Sequence, residues 1–569
     1  MAGTLGAKRA GVSGHGGGVR GSDLSRRSSQ FEGRFGRMFR SLPASTWDAA
    51  DLTLLGEAMI SPPEKKGNLP IAPPEDSAKV IQDDEENSGI SAGYTYFGQF
   101  IDHDITFDPA SSLQKQNDVD GLVNYRTPRL DLDSLYGRGP DDQPYMFVGN
   151  KFRLGRPLFE GNEASNSRDL PRFEDPVNLG SARALIGDKR NDENVIVSQL
   201  QSVMLQFHNK LVDKMPNSSF EEVQRQVRWH YQWLVVNDFL VKMCGQEMVY
   251  SILPHLKAQT SIFDNKPKLN FYKSQEQAFM PIEFSAAAYR FGHSMVRPIY
   301  RLNIQLNGGA DPLQATPDEE SRGIAGRFFI FAGVQNRGLN GFDAFPQQWA
   351  IDWTLFFDIN GSGKQGGKLR AQPSYKIDPS LVNPLGFLPE FSKPESDFTG
   401  ALTIDRLQAN TDPKHAPANL AVRNLLRGMA MALPSGQEVA RAMGLTPIAD
   451  KDLRVCKAII ADWDDAAAPN MHDFANGAFK GRAPLWYYVL AESLFDWSKR
   501  AKKSGSKGNE EPVMLGDVGG RIVAETLIGL VLDDSHSYLR QSPNWTPESA
   551  GFIKGKCDVG AVIKFALSL

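Results

Sequence analysis

Residues 196–216 read IVSQLQSVMLQFHNKLVDKMP. Ile196, Leu200, Val203, Phe207 and Leu211 recur at the spacing of one helical face, and Pro216 stops the run. Just beyond, Ser219 and Glu222 form a capping-box pattern, and Val223, Val227, Tyr231 and Leu234 continue at helical intervals. Working outward, residues 285–297 read as a helix ended by Pro298, and residues 419–432 and 484–498 also read as helices. Residues 522–532, which contain Glu525, Thr526 and Gly529, read as a buried core helix. Strand-like stretches are few, residues 300–305 being one. Residues 305–400 are rich in Gly, Pro and Asp and read as long connections. The chain shows no internal repeat. The pattern predicts a mainly α fold: a single large helical domain with long irregular connections and few short strands.

Composition narrows the class. A length of 569 residues allows up to about four domains or one large one. With 41% hydrophobic and 23% charged residues, the chain is neither disordered throughout nor collagen-like. Its formal net charge of −4 gives no footprint for nucleic acid or an anionic membrane. Cys244, Cys456 and Cys557 are far apart and odd in number, which supports neither a disulfide scaffold nor a cysteine zinc site. No apolar run reaches the ~20 residues of a membrane span, and no signal peptide is visible. The expected location is cytoplasmic, or outside the cell by a leaderless route. Residues 1–30 read as a flexible basic Gly-rich segment, 31–545 as the domain, and 546–569 as a C-terminal extension. Phe31, Phe35 and Phe39 recur every four residues, which would suit a helical arm docking on the domain.

Helical spacing then gathers chemistry at four places. In GQFIDHD (98–104), Gln99, Asp102 and His103 lie at i, i+3 and i+4 and would share a face, where a histidine can work as general base and acid. The plain alternative is a polar turn; another is the His-Asp doublet of a metal phosphohydrolase. In NYRTPRLDLDSLYG (124–137), Thr127, Asp131 and Asp133 are hard oxygen donors at close spacing, as calcium requires, although an acidic surface turn has the same composition. In GDKRNDE (187–193), Arg190 and Glu193 are three apart, as ordinary helix-start residues also are. In YRFGH (289–293), Arg290 and His293 are three apart, and Gly292 leaves room for a flat group to approach; a core histidine is the bland reading. Asn424 and Arg427 repeat that spacing in NLAVRNLLRG (419–428). Together these supply what a haem pocket needs: an axial histidine on one side, acid–base groups on the other, and cations for two propionates.

GQFIDHD, RTPRLDLDSLYG, GDKRNDE, YRFGHSMVRPIYRL and NLAVRNLLRG, in this order, resemble the motif set of the animal-type haem peroxidase family, the peroxidase–cyclooxygenase superfamily, and within it a bacterial, peroxicin-like branch. The resemblance runs from about residue 30 to about residue 540. It implies a haem peroxidase that reduces hydrogen peroxide while oxidising a small donor such as a halide, thiocyanate or a phenol. It implies that His103 is the distal histidine, with Gln99 beside it and Arg190 as the distal arginine. His293 would be the proximal iron ligand, its second nitrogen donating to Asn424, and Arg290 and Arg427 would meet the haem propionates. Asp102 and Glu193 match carboxylates that form esters with haem b. Asp104, Thr127, the carbonyl of Arg129, Asp131 and Asp133 match a calcium site.

Two departures from the family pattern matter, and one position bears on the branch. Asn194 stands where one mammalian member carries the methionine of a sulfonium link, so that link is not expected. Asp133 stands where mammalian members carry serine, adding a negative charge to the calcium site. The position three before the proximal histidine, a radical-forming tyrosine in the fatty-acid oxygenase branch, is Arg290, with Tyr289 one residue away. Two other readings are a fatty-acid dioxygenase of the same superfamily and a non-catalytic haem-containing structural or adhesive protein.

Overall fold

The computed structural model describes residues 34–61, 85–107, 124, 126–173, 182–274, 278–306, 327–330, 339–365, 369–386, 388, 418–504 and 511–569. The Gly-rich segment 1–30 and Phe31 lie outside them. The longer helices are α1 (Ala49–Ala58), α2 (Gly93–Ile105), α3 (Val195–Lys214), α4 (Phe220–Leu234), α5 (Leu420–Ala430), α6 (Leu485–Ser504), α7 (Asp517–Asp533) and α8 (Val559–Leu567). Among the described residues every sheet is a two-stranded pair. The fold is mainly α, as the periodicity requires.

The predicted stripes explain which faces are inside. Ile196, Leu200, Val203, Phe207 and Leu211 of α3 are all buried, and Asn194 caps that helix by accepting from the Ile196 and Val197 amides at 3.1 and 2.9 Å. Ser219 and Glu222 form the reciprocal capping box of α4. Helix α7 is buried along most of its length, and its first turn is capped from α6, where the Glu492 carboxylate accepts from the Val518 and Gly519 amides. Residues 546–569, set apart in the sequence reading, join the same core: Phe565 of α8 meets Phe207 of α3 at 5.8 Å, and Leu567 accepts from Asn166.

Three local expectations are corrected. Residues 285–297 are not one α-helix: a short turn, Ile282–Ser285, is followed by a 3-10 helix, Ala288–His293, with Ala287 at φ −136° and ψ −81° breaking the run between them. Three residues per turn stack Arg290 and His293 on one edge and send Tyr289 elsewhere. Phe35 and Phe39 are buried as an arm docking on the domain would be, but not on a helix. Residues Arg34–Gly36 form strand β1, which pairs in parallel with β2 (Phe279–Pro281). The buried carboxylate of Glu283 then accepts from the Met38 and Phe39 amides at 2.9 and 3.0 Å. The strand expected over 300–305 is only Ile299–Arg301, because Asn303 turns the chain by accepting from the Gln305 and Leu306 amides.

Candidate active site

Helix α2 carries the first motif. Tyr94, Phe97, Phe100 and Ile101 anchor it in the core, while Gln99, Asp102 and His103 share a face as their spacing predicts. The Nδ1 of His103 lies 2.8 Å from Asn191 Oδ1, and Asn191 Nδ2 donates to Gln201 at 2.9 Å, which turns the amide oxygen toward the ring. The ring proton therefore sits on Nδ1, leaving the Nε2 lone pair free, 3.7 Å from Glu193 Oε1. Burial, reinforced by the Arg190 charge, lowers the His103 pKa to about 3, so the imidazole is neutral at ordinary pH. Gln99 Nε2 donates to Glu193 Oε1, and Gln99 Oε1 accepts from Asn194 Nδ2 at 3.2 Å.

Residues 187–194 form the second wall. Asp188 caps a 3-10 turn over Lys189–Asp192 by accepting from the Arg190 amide at 2.9 Å. The Arg190 guanidinium bends back onto the same carboxylate, Nη2 to Oδ2 at 2.8 Å. Its Nη2 also donates to the carbonyls of His103 and Thr106 at 3.0 and 2.7 Å, and it lies 4.6 Å above the Phe107 ring. Among the described residues, Nη1 has no acceptor. Burial alone would raise the Asp188 carboxyl, but the Arg190 and Arg126 guanidiniums hold it well below the usual carboxylate range.

The opposite wall is the 3-10 helix ending at His293. Burial, with the charge of Arg290, lowers the His293 pKa to about 3. Its Nδ1 lies 2.8 Å from Asn424, as the motif spacing suggests, but it is the amide nitrogen that faces the ring. Arginine can only donate, and Arg290 Nη1 takes the Asn424 oxygen at 2.8 Å. The sequence reading has the ring donating to this amide; the structure has the amide donating to the ring. Asn419 caps α5 at the Ala421 and Val422 amides and so aims Asn424 and Arg427, one turn apart, at this wall. Burial, followed by repulsion from Arg427 and Arg423, lowers the Arg290 pKa to about 10, while Asp102 works against both.

The two walls face a common interior. Asp102 and Arg290 are close enough to feel each other's charge, and the Tyr289 hydroxyl donates to the Gly98 carbonyl of α2 at 3.1 Å. Gln99, Asp102, Glu193, Arg290, Gly292 and His293 keep accessible surface although they sit inside the fold. A Cβ built on Gly292 would meet no atom within 4 Å. Two imidazoles, several arginines and two carboxylates on walls that touch through Tyr289 and Gly98 are a donor set that fits a flat, dianionic, iron-bearing ring. Burial raises the Asp102 pKa against the pull of Arg190 and Arg290, a cost that an ester link would remove.

Below the first wall, Asp104, Asp131 and Asp133 bring carboxylate oxygens within 4.8 Å of one another. Leu132, in the left-handed region at φ 57°, turns the chain between the last two, and its amide donates to Asp104 Oδ2 at 3.1 Å. Burial, then the charges of Asp131 and Asp133, raises the Asp104 pKa well above the ordinary value. Thr127 Oγ1 donates to Asp131 at 2.9 Å, and the Arg129 amide donates to the Thr127 carbonyl, so Arg129 closes the same turn. The donor set is all oxygen and strongly anionic, as a hard divalent cation needs. The sequence reading missed three residues inside motifs it quoted: Asp188 and Asn191 of GDKRNDE and Arg126 of NYRTPRLDLDSLYG.

Comparisons with known proteins bear on family and fold. Residues 114–316 match the family model for animal haem peroxidase. A peroxidase-like protein of Margaritifera margaritifera is 25% identical over 318 residues, covering 46% of this chain and 38% of that protein. A dual oxidase of Drosophila melanogaster is 28% identical over 205 residues, covering 34% of this chain and 12% of that protein. The chain thus covers well under two thirds of either relative. Peroxidase A of Dictyostelium discoideum superposes with a TM-score of 0.53 at 16% identity, over 95% of this chain and 94% of that one, and shares its fold. Over residues 114–316 the chain is thus similar to the animal haem peroxidase family, and its fold is that of peroxidase A. Among the described residues no helix is long and apolar enough to cross a membrane.

Proposed function

We propose that this chain is a haem peroxidase that reduces hydrogen peroxide while oxidising a small donor such as a halide, thiocyanate or a phenol. The observation that carries the reading is a neutral His103, fixed by Asn191 with its Nε2 lone pair exposed, beside the permanent cation Arg190. Haem b, bound through His293 with Arg290 and Arg427 at its propionates and Asp102 and Glu193 as ester partners, would supply the iron at which the O–O bond breaks. His103 Nε2 takes the proton from one peroxide oxygen and returns it to the other as the bond opens. Arg190, through Nη1, stabilises the negative charge that gathers on the leaving oxygen. Gln99 Nε2 donates to Glu193 Oε1 and is placed to donate to peroxide as well, the more so were Glu193 esterified. Asn424 orients the His293 ring. Asp104, Thr127, the Arg129 carbonyl, Asp131 and Asp133 would hold calcium, which would pin the end of α2 and, with it, His103.

The fatty-acid dioxygenase reading is weaker. The residue stacked over His293 on the 3-10 helix is Arg290, and Tyr289 is turned away, its ring 4.5 Å from Phe284 and its hydroxyl on Gly98. The decisive experiment is purification with supplied haem, an absorbance spectrum, acidified-solvent extraction, and peroxide turnover with iodide and a phenol. A Soret band, haem retained after extraction and rising with peroxide pretreatment, and donor oxidation are expected. Haem binding without donor oxidation would favour the non-catalytic reading, and fatty-acid oxygenation lost in Tyr289→Phe would favour the dioxygenase.

A further inference from the structure

We propose that Arg126 is a positioning residue that transmits the occupancy of the acid cluster to Arg190 through Asp188. The inference rests on the peroxidase reading and extends it to the regulation of the same site.

Arg126 is buried, with 7% of its surface exposed, and its guanidinium reaches two carboxylates on opposite sides. Nη1 donates to Asp133 Oδ1 at 3.3 Å. Nε and Nη2 donate to Asp188 Oδ2 at 2.9 and 2.5 Å, and Nη2 also reaches the Gly187 carbonyl. Asp188 Oδ2 is the oxygen that also accepts from Arg190 Nη2, so two guanidiniums share one acceptor. They also share the Phe107 ring, at 5.8 Å for Arg126 and 4.6 Å for Arg190. The backbone holds the two segments tightly together. A Cβ on Gly187 would come within 2.5 Å of the Ser134 carbonyl and 3.0 Å of that of Asp133, so neither segment can shift without the other. The chain of contacts runs without a break from the cluster to the distal arginine: Asp133, Arg126, Asp188, Arg190, and then the carbonyls of His103 and Thr106.

The direction of the effect follows from electrostatics. Without a cation, Asp133 competes with Asp188 for Arg126. A divalent cation on the cluster draws the Asp133 charge to itself and repels the guanidinium, so Arg126 turns fully onto Asp188. The shared oxygen then holds Arg190 less strongly, and its guanidinium becomes available to an anion in the site. Linkage requires the reverse as well: an anion bound at Arg190 must tighten the cation by the same factor. Asp104, next to His103, offers a second mechanical route from the cluster to the site, so the test must separate the two.

The experiment uses the haem-loaded full chain, with cyanide as the anionic probe and calcium as the cation. Cyanide affinity is read from the absorbance shift with calcium present and after chelation, and calcium affinity by calorimetry with and without cyanide. In the wild type each ligand should tighten the other by about tenfold, within the usual range of coupling between sites. Arg126→Lys keeps a charge but reaches only one of the two carboxylates, and Arg126→Gln reaches neither by charge. Asp188→Asn breaks the link at its other end. Each variant should cut the coupling factor several-fold toward one while still binding both ligands, and whatever remains is carried by Asp104. If Arg126→Gln does not fold, Arg126→Lys decides. Unchanged coupling in the folded variants, or none in the wild type, overturns the proposal. A wild type that takes up no haem overturns the peroxidase reading instead.

Discussion

The two walls of the site use the same three residue types with opposite polarity. On α2, His103 meets Asn191 through the amide oxygen, and Arg190 stands off on Asp188. On the 3-10 helix, His293 meets Asn424 through the amide nitrogen, because Arg290 has taken the oxygen. An asparagine thus sets a histidine's tautomer in either sense, and the neighbouring arginine decides which. The first arrangement leaves a basic Nε2 facing the interior, as proton transfer needs. In the second, the amide nitrogen donates to the His293 ring while Arg290 holds the oxygen, so the ring's Nδ1 is the acceptor.

The sharpest way to break this comparison is to remove each imidazole in turn. His293→Ala should lose the Soret band, or retain only haem that extraction removes. His103→Ala should keep the Soret band and lose peroxide turnover by about 10²- to 10⁴-fold, the range for a general acid–base group. Equal loss of haem in both variants would mean that the two walls do not have separate roles. Next in size are the asparagines. Asn191→Ala frees the His103 tautomer and should lower turnover by about 10- to 100-fold with the haem spectrum intact, in line with other residues that orient a metal-site ligand. Asn424→Ala should instead shift the spectrum of the ferrous protein, since it acts on the ring bound to iron.

How much of this was legible in the sequence depended on whether the signal was local. Stripes such as 196–211 and the Ser219–Glu222 cap were readable because helix period and capping are properties of adjacent residues. So was the sharing of one face by Gln99, Asp102 and His103. The 3-10 geometry of Ala288–His293 was not, because Arg290 and His293 share a face in either helix type and only tertiary packing selects the tighter one. Nor was the burial of Phe35 on a strand, which depends on a partner at Phe279–Pro281 far along the chain. Arg126 escaped notice because an arginine in an acidic loop looks like surface charge. Its role depends on Asp188, 62 positions away.

Acid should probe both walls together. The unfolded histidines have an ordinary pKa of 6.5, whereas burial lowers His103 and His293 to about 3, and His208 and His230, away from the site, to about 4. These groups are depressed in the folded chain, so below pH 6.5 the unfolded state binds protons that the folded state refuses. Their contribution to stability is complete above pH 6.5 and is lost as pH falls toward 4. Between about pH 7 and 4 these histidines pull the Tm of the haem-free protein down, while carboxyls raised by burial, Glu492 to about 8 and Asp378 to about 7, work the other way, so the histidine share of the fall is read as the difference between wild type and variant. Replacing His208 and His230 with Gln should flatten that fall while leaving the acid limb of peroxide turnover, which belongs to His103, well below 6.5. A turnover midpoint at 6.5 would mean that His103 is not the buried neutral base described.

The smallest effect separates support from chemistry. Helices α3 and α5, one for each wall, both start on an asparagine that caps two backbone amides, Asn194 and Asn419. Replacing either with Ala should cost about 1 kcal/mol of stability, the usual value of a lost N-cap, measured by denaturant unfolding. The second bond of each side chain differs. Asn194 Nδ2 donates to Gln99 Oε1 inside the site, whereas Asn419 Nδ2 donates to the Gly56 carbonyl of α1 at 3.4 Å. Asn194→Ala loosens one end of the Gln99 amide and should also raise the KM for peroxide by a few-fold. Asn419→Ala should show the stability loss with KM unchanged. If both variants shift KM alike, the effect comes from loosening the helix starts, and Gln99 has no separate part in holding peroxide.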